Sequence, residues 1–93
     1  LPIRNGGGNK LENYNIYPNP SKDIFNIEFN FEEITDVIIE VQSILGVTII
    51  SESLENYLGS YTKKIDLTNY SKGAYLLKIK TGTSYFNKKL ILN

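Results

Sequence analysis

The residues best placed to do chemistry are three neighbouring acids, Glu32, Glu33 and Asp36. A glycosidase needs two carboxylates facing each other across a cleft, one protonated and one charged. Acids crowded into one connecting segment instead describe a solvated turn. Their spacing also departs from the D-x-D-x-D-G pattern that wraps a calcium ion in oxygens. Ser21, Ser43 and Ser60 have no histidine to take their protons, because the chain contains no His. Cys is also absent, which removes a thiolate nucleophile, a zinc–thiolate site and any disulfide framework. Gly6, Gly7 and Gly8 precede no helix and lack the Lys-Ser/Thr of a phosphate loop, so they are no phosphate cradle. No catalytic, cofactor-binding or metal site is expected, and the chain is not read as an enzyme.

The 93 residues suit one domain with a modest core. Ten basic residues balance ten acidic ones, which argues against non-specific binding to nucleic acid or to an anionic membrane. No apolar run reaches the ~18 residues of a transmembrane helix, so no direct membrane insertion is expected. The chain shows no signal peptide and does not begin with Met, which reads as a piece of something longer. Residues 1–10, with their three glycines, read as a flexible linker from an upstream domain, and residues 11–93 as the folded unit. Exposed tyrosines can stack on sugars, but Tyr75 falls in a core position, and Tyr57, Tyr61 and Tyr70 are placed to cap the ends of a thin core.

The elements follow from periodicity. Phe25, Ile27, Phe29 and Phe31 alternate with Asn26, Glu28 and Asn30, the signature of a strand with one buried face. Val37, Ile39 and Val41 repeat the pattern. Gly46 sits in a turn over 43–46, and a β-branched run over 47–50 returns from it. Residues 52–60 are polar and read as a loop. Tyr61, Ile65 and Leu67 share a face, and Lys63 breaks it, as an inward charge does on an edge strand. A short run at 14–17 is stopped by Pro18-Asn19-Pro20-Ser21, a rigid corner. The chain is organised around its end, where alternating runs flank Thr81-Gly82 as a β-hairpin. Tyr75, Leu77 and Ile79 face the core, and Lys78 and Lys80 face water. The last run has two candidate faces, Phe86, Leu90 and Leu92 with Lys88 on one and Tyr85 and Ile91 on the other, and the Phe86 face is expected inward. The expectation is an all-β, Ig-like antiparallel β-sandwich of about seven strands.

Three features in this order resemble a known family. Tyr17-Pro18-Asn19-Pro20 leads into an alternating strand. Gly73-Ala74-Tyr75 opens a strand of the G-x-Y kind. Lys88-Lys89-Leu90-Ile91-Leu92 resembles a lysine-plus-aliphatic C-terminal end. Together they resemble the type A C-terminal sorting domain of the type IX (Por) secretion system of Bacteroidota. The resemblance implies a seven-stranded β-sandwich that directs a covalently fused cargo from the periplasm through the outer-membrane translocon. A cell-surface sortase then typically removes it, leaving the cargo at the cell surface or released outside the cell. It implies that Lys88, Lys89, Leu90, Ile91 and Leu92 are recognised, with Pro18, Asn19, Pro20, Gly73 and Tyr75 as family motif residues. Three features depart from the family. The turn Ser43-Ile44-Leu45-Gly46 is more apolar than the polar turn expected, Val47 stands where a charged residue is common, and Asn93 extends past the usual aliphatic end. The alternative is a non-catalytic β-sandwich for adhesion or carbohydrate binding, which requires a coplanar strip of exposed aromatics on one sheet face.

Overall fold

Phe25, Ile27, Phe29 and Phe31 are buried, as are Val37, Ile39 and Val41, and both rows belong to one strand. The computed structural model describes residues 14–93 except 83, so the linker expected over 1–10 lies outside the described residues. Five strands account for the fold: β1 (Tyr14–Tyr17), β2 (Ile24–Ser43), β3 (Thr48–Asp66), β4 (Gly73–Lys80) and β5 (Tyr85–Leu92). No helix occurs among the described residues. All pairings are antiparallel, in the order β1-β2-β4-β5, and β3 pairs along the other side of β2.

The strand count is five rather than seven, and the reason is local. The sequence places breaks at Glu32-Glu33 and over 52–60, yet β2 and β3 run straight through both. Polar composition marks these residues as exposed, and exposure does not by itself end a strand. Register shifts between Phe31 and Thr35 and between Thr35 and Val37 absorb the irregularity. Such bulges bend a strand and raise its twist without ending the ladder. On β3 the bulge falls at Gly59 (φ 94°) and Asn56 (φ 51°), two residue types that tolerate the left-handed region. Asp36 Oδ1 accepts the Asn56 backbone N–H at 3.0 Å. Thr35 Oγ1 accepts the N–H of Gly82 at 3.1 Å, tying the bend to the β4–β5 turn.

The bend divides the long hairpin into two limbs. In the first, residues 24–31 of β2 pair with residues 59–66 of β3; in the second, residues 37–42 pair with residues 48–54. β1 extends the first limb, and β4 and β5 extend the second. One buried cluster draws on both, from Phe25 and Ile65 to Leu77 and Leu90. Phe29 of the first limb lies edge-on to Phe86 of β5 at 5.4 Å, and Tyr14 lies edge-on to the same ring at 4.7 Å. Phe31, Tyr57 and Tyr61 continue the aromatic contacts toward β3. Tyr57 and Tyr61 thus pack at the margin of the core, while Tyr70 packs on Tyr75 in the β3–β4 connection.

The β3 margin carries a polar tie. Lys63 lies opposite Ile27 in the first limb and Glu52 opposite Ile39 in the second, so both belong to the core-facing parity. Their charged groups meet at 2.9 Å, and the Tyr61 hydroxyl donates to Glu52 at 2.8 Å. The Lys63 and Tyr61 donors hold the Glu52 carboxyl below the ordinary carboxylate range. Burial, reinforced by the hydrogen bond to Glu52, pushes the Tyr61 phenol up. The inward charge at Lys63 is therefore answered from the other limb.

Phe29→Ala is expected to cost about 3–5 kcal/mol, because the ring is 3% exposed and contacts Tyr14, Phe31 and Phe86. Urea denaturation measures it. A depressed carboxylate stabilises the fold above its unfolded-state pKa and loses that contribution as pH falls through the folded value. The stability difference between wild type and Glu52→Gln should therefore be present near neutrality. It should shrink as pH falls below about 4.5, as read from thermal melts along a pH series.

Candidate functional site

β5 is built to be held rather than loose. It pairs with β4 along its whole length, from Lys80↔Tyr85 to Gly73↔Leu92. Leu90 is 0% exposed and Leu92 2%, so these two of the five expected recognition residues are core side chains and not surface features. Strand alternation separates the rest. Lys88 shares its parity with Phe86 and Leu90 yet remains exposed, its long stem carrying the ammonium out past the core. Lys89 points to the opposite face with half-buried Ile91. The lysine pair that is contiguous in sequence is divided between two faces of the sheet.

The motif residues converge at the end of this strand. The corner after β1, with both X–Pro bonds cis, runs beside β5. The Asn19 side chain donates to the Lys89 carbonyl at 2.9 Å and accepts the Ile91 N–H at 3.0 Å. Ser21 continues the ladder: its N–H donates to the Ile91 carbonyl at 2.9 Å, and its carbonyl accepts the Asn93 N–H at 2.8 Å. Ser21 is buried, and its hydroxyl donates to the Ile24 carbonyl at 2.6 Å. On the other side of β5, Leu92 pairs with Gly73, whose φ of 143° favours a residue without Cβ. Tyr75 pairs with Leu90, is 8% exposed, and donates its hydroxyl to the Ser71 carbonyl at 2.5 Å. Asn19, Gly73 and Tyr75 thus lie directly against the C-terminal strand, and Pro18 and Pro20 flank Asn19 in the corner. The sequence marks the Asn19 corner as a turn, but not as a partner of β5, because the contact spans some seventy residues.

The outward face of the second limb has its own register. Ile38, Lys80 and Tyr85 form one cross-strand row, Glu40, Lys78 and Asn87 the next, and Gln42, Leu76 and Lys89 the third. One cleft of about 300 Å³ opens between the first two rows, and another of about that volume lies between the third row and the β2–β3 turn. The outward face of the first limb is different in kind. There the Tyr17 hydroxyl donates to Glu28 at 2.7 Å and Asn15 donates to the same carboxylate at 3.2 Å. The bond to Glu28 and its negative charge raise the Tyr17 phenol. Asp66, beside the β3–β4 connection, lies lower than usual because the Thr68 hydroxyl and N–H donate to it.

The exposed tyrosines Tyr17, Tyr70 and Tyr85 lie on the first limb, the β3–β4 connection and the second limb, and form no single strip. Among the described residues no group of His, Cys, Asp or Glu is arranged to hold a metal ion. No helix there is long and apolar enough to cross a membrane.

The sequence profile of a family described as the secretion system C-terminal sorting domain matches residues 15–93. No curated protein matches the chain.

Asn19→Ala removes two hydrogen bonds to β5 and leaves an N–H and a carbonyl to find solvent. The expected cost is about 1–3 kcal/mol. Amide exchange of Ile91 should accelerate more than that of Leu90, whose N–H faces β4, as hydrogen exchange by NMR will resolve.

Proposed function

The chain belongs to the family of secretion system C-terminal sorting domains, the sorting signals of type IX secretion, and from that premise we propose how this copy is organised and read. Residues 11–93 are the address label, and residues 1–10 connect it to a covalently fused cargo. The domain has no catalytic role and needs no cofactor. The two limbs of the β2–β3 hairpin, with β1 on one and β4–β5 on the other, serve as the two faces of an Ig-like sandwich. The cargo is carried from the periplasm through the outer-membrane translocon, and a cell-surface sortase then acts before the linker gives way to β1.

The C-terminal strand carries the signal, with Lys88, Lys89, Leu90, Ile91 and Leu92 in two roles. Leu90 and Leu92 hold the strand in the core. Lys88, Lys89 and Ile91 are left to be contacted. The observation that supports this is the convergence on Leu92 of the corner at Ser21, the strand opening at Gly73 and the end of β5. A segment held from both sides presents one conformation, and pre-organisation lowers the entropic cost of recognition.

The test is export of a reporter fused ahead of residue 11 and supplied with a signal peptide. The reporter should leave cells that possess the type IX translocon and stay in the periplasm of an isogenic strain lacking it. Equal export from both strains would remove the reading. In the translocon-positive strain, Leu90→Asp, which places a charge in the core, should abolish both folding and export.

A further inference from the structure

Lys78 and Lys80 are successive outward residues of β4, about 7 Å apart along the strand. Lys89 of β5 lies diagonally beside Lys78, about 7–8 Å away. None of the three forms an ion pair among the described residues, whose ion pair is that of Lys63 with Glu52. Lys89 also lines a cleft of about 300 Å³ together with Leu76, Ala74 and Ile44. Ile44 belongs to the β2–β3 turn, where Ile44, Leu45 and Val47 are 81%, 87% and 58% exposed. Three large apolar side chains on one turn, continuous with a lysine-lined cleft, form the kind of exposed patch that marks an interaction site.

We propose that the outward face of β4 and β5, charged by Lys78, Lys80 and Lys89 and ended by the Ile44 turn, docks on an acidic and apolar surface of a protein in the export machinery. The inference rests on the sorting reading and names the face that is read. A protein suits this face better than an anionic lipid surface does. Glu40 lies directly opposite Lys78 in the same outward row, so a uniformly negative surface would repel it, whereas a protein can place a cation there. The two clefts on this face, one between its first two rows and one against the Ile44 turn, have room for individual side chains, which gives register. Lys88 projects from the other face of β5 and lies outside this surface. This docking face therefore spans two strands, and of the C-terminal doublet it takes in Lys89.

The experiment uses the fusion described above. The variant K78E/K80E/K89E should lower translocon-dependent export by about tenfold or more, as expected when several charges of an interface are reversed. Lys64→Glu, a charge reversal on the outward face of the first limb, should stay within about twofold of wild type. Ile44→Ser with Leu45→Ser should also lower export. Thermal melts of the same purified fusions check folding. The neutral triple K78Q/K80Q/K89Q probes the same surface without adding acids to β4 and β5, so a folding failure of the acidic variant still leaves a measurement. A folded lysine-face variant exported at wild-type level overturns the proposal and leaves the sorting reading in place. Wild-type export that persists without the translocon defeats the sorting reading itself. Salt-sensitive binding of the wild-type fusion to phosphatidylglycerol vesicles, lost in the triple variants in step with export, would reassign the face to lipid and overturn the protein partner.

Discussion

One small core must serve the whole domain, and the bend in the β2–β3 hairpin is what lets it. A strand of twenty residues cannot stay flat and bury its entire apolar row against anything this chain can supply. Bulges at the middle of β2 and β3 turn the two limbs so that Phe25 to Phe31 and Val37 to Val41 contribute to one cluster. Everything C-terminal depends on that geometry. Leu77, Ile79, Leu90 and Leu92 have a surface to pack on because the first limb is folded toward them. The β2–β3 register skips residues through the bend, and side chains meet backbone groups there: Asp36 accepts the Asn56 N–H and Thr35 the Gly82 N–H.

The margins of the two limbs are closed by different chemistry. At β3 the Glu52–Lys63 pair and the Tyr61 hydroxyl join one limb to the other. A half-exposed pair of this sort contributes little stability, roughly 0.2–1 kcal/mol. Its larger effect is on specificity, since an inward charge on an edge strand resists pairing with another chain. At β5 the edge is closed by backbone and by one amide side chain. Asn19 and Ser21 occupy the groups of residues 89–93 that would otherwise face solvent as a bare strand edge. A terminal strand with an open edge is an aggregation hazard, and this corner removes it over the last residues of the chain.

That arrangement bears on how a C-terminal signal can be read. In the folded domain the final strand is no free tail: its aliphatic residues are in the core, and the corner covers part of its edge. What remains accessible is a face, shared with β4, and a few side chains along it. The two outward faces of the sheet differ. That of the first limb is rich in amides and internally bonded, as Asn15, Tyr17 and Glu28 show. That of the second limb carries lysines without ion-pair partners among the described residues, next to an apolar turn.

Much of the fold was legible in the residues themselves. Alternation identified Phe25, Ile27, Phe29, Tyr75, Leu77 and Ile79 as buried, and they are. The parity that turns Phe86, Leu90 and Leu92 inward, the turn at Gly46 and the edge character of Lys63 were equally local signals. The family was legible because its motifs are short and fall in a fixed order. Tertiary structure decided the rest. Whether Glu32-Glu33 and residues 52–60 interrupt a strand depends on backbone partners across the sheet, and composition reports exposure rather than pairing. The meeting of Asn19 with Lys89 and Ile91 is a contact between the two ends of the described chain, which no local pattern encodes. The division of Lys88 from Lys89 was implicit in alternation. It became a statement about two surfaces only once β5 had β4 beside it and a core beneath it, because a strand has an inside and an outside only after something packs against it.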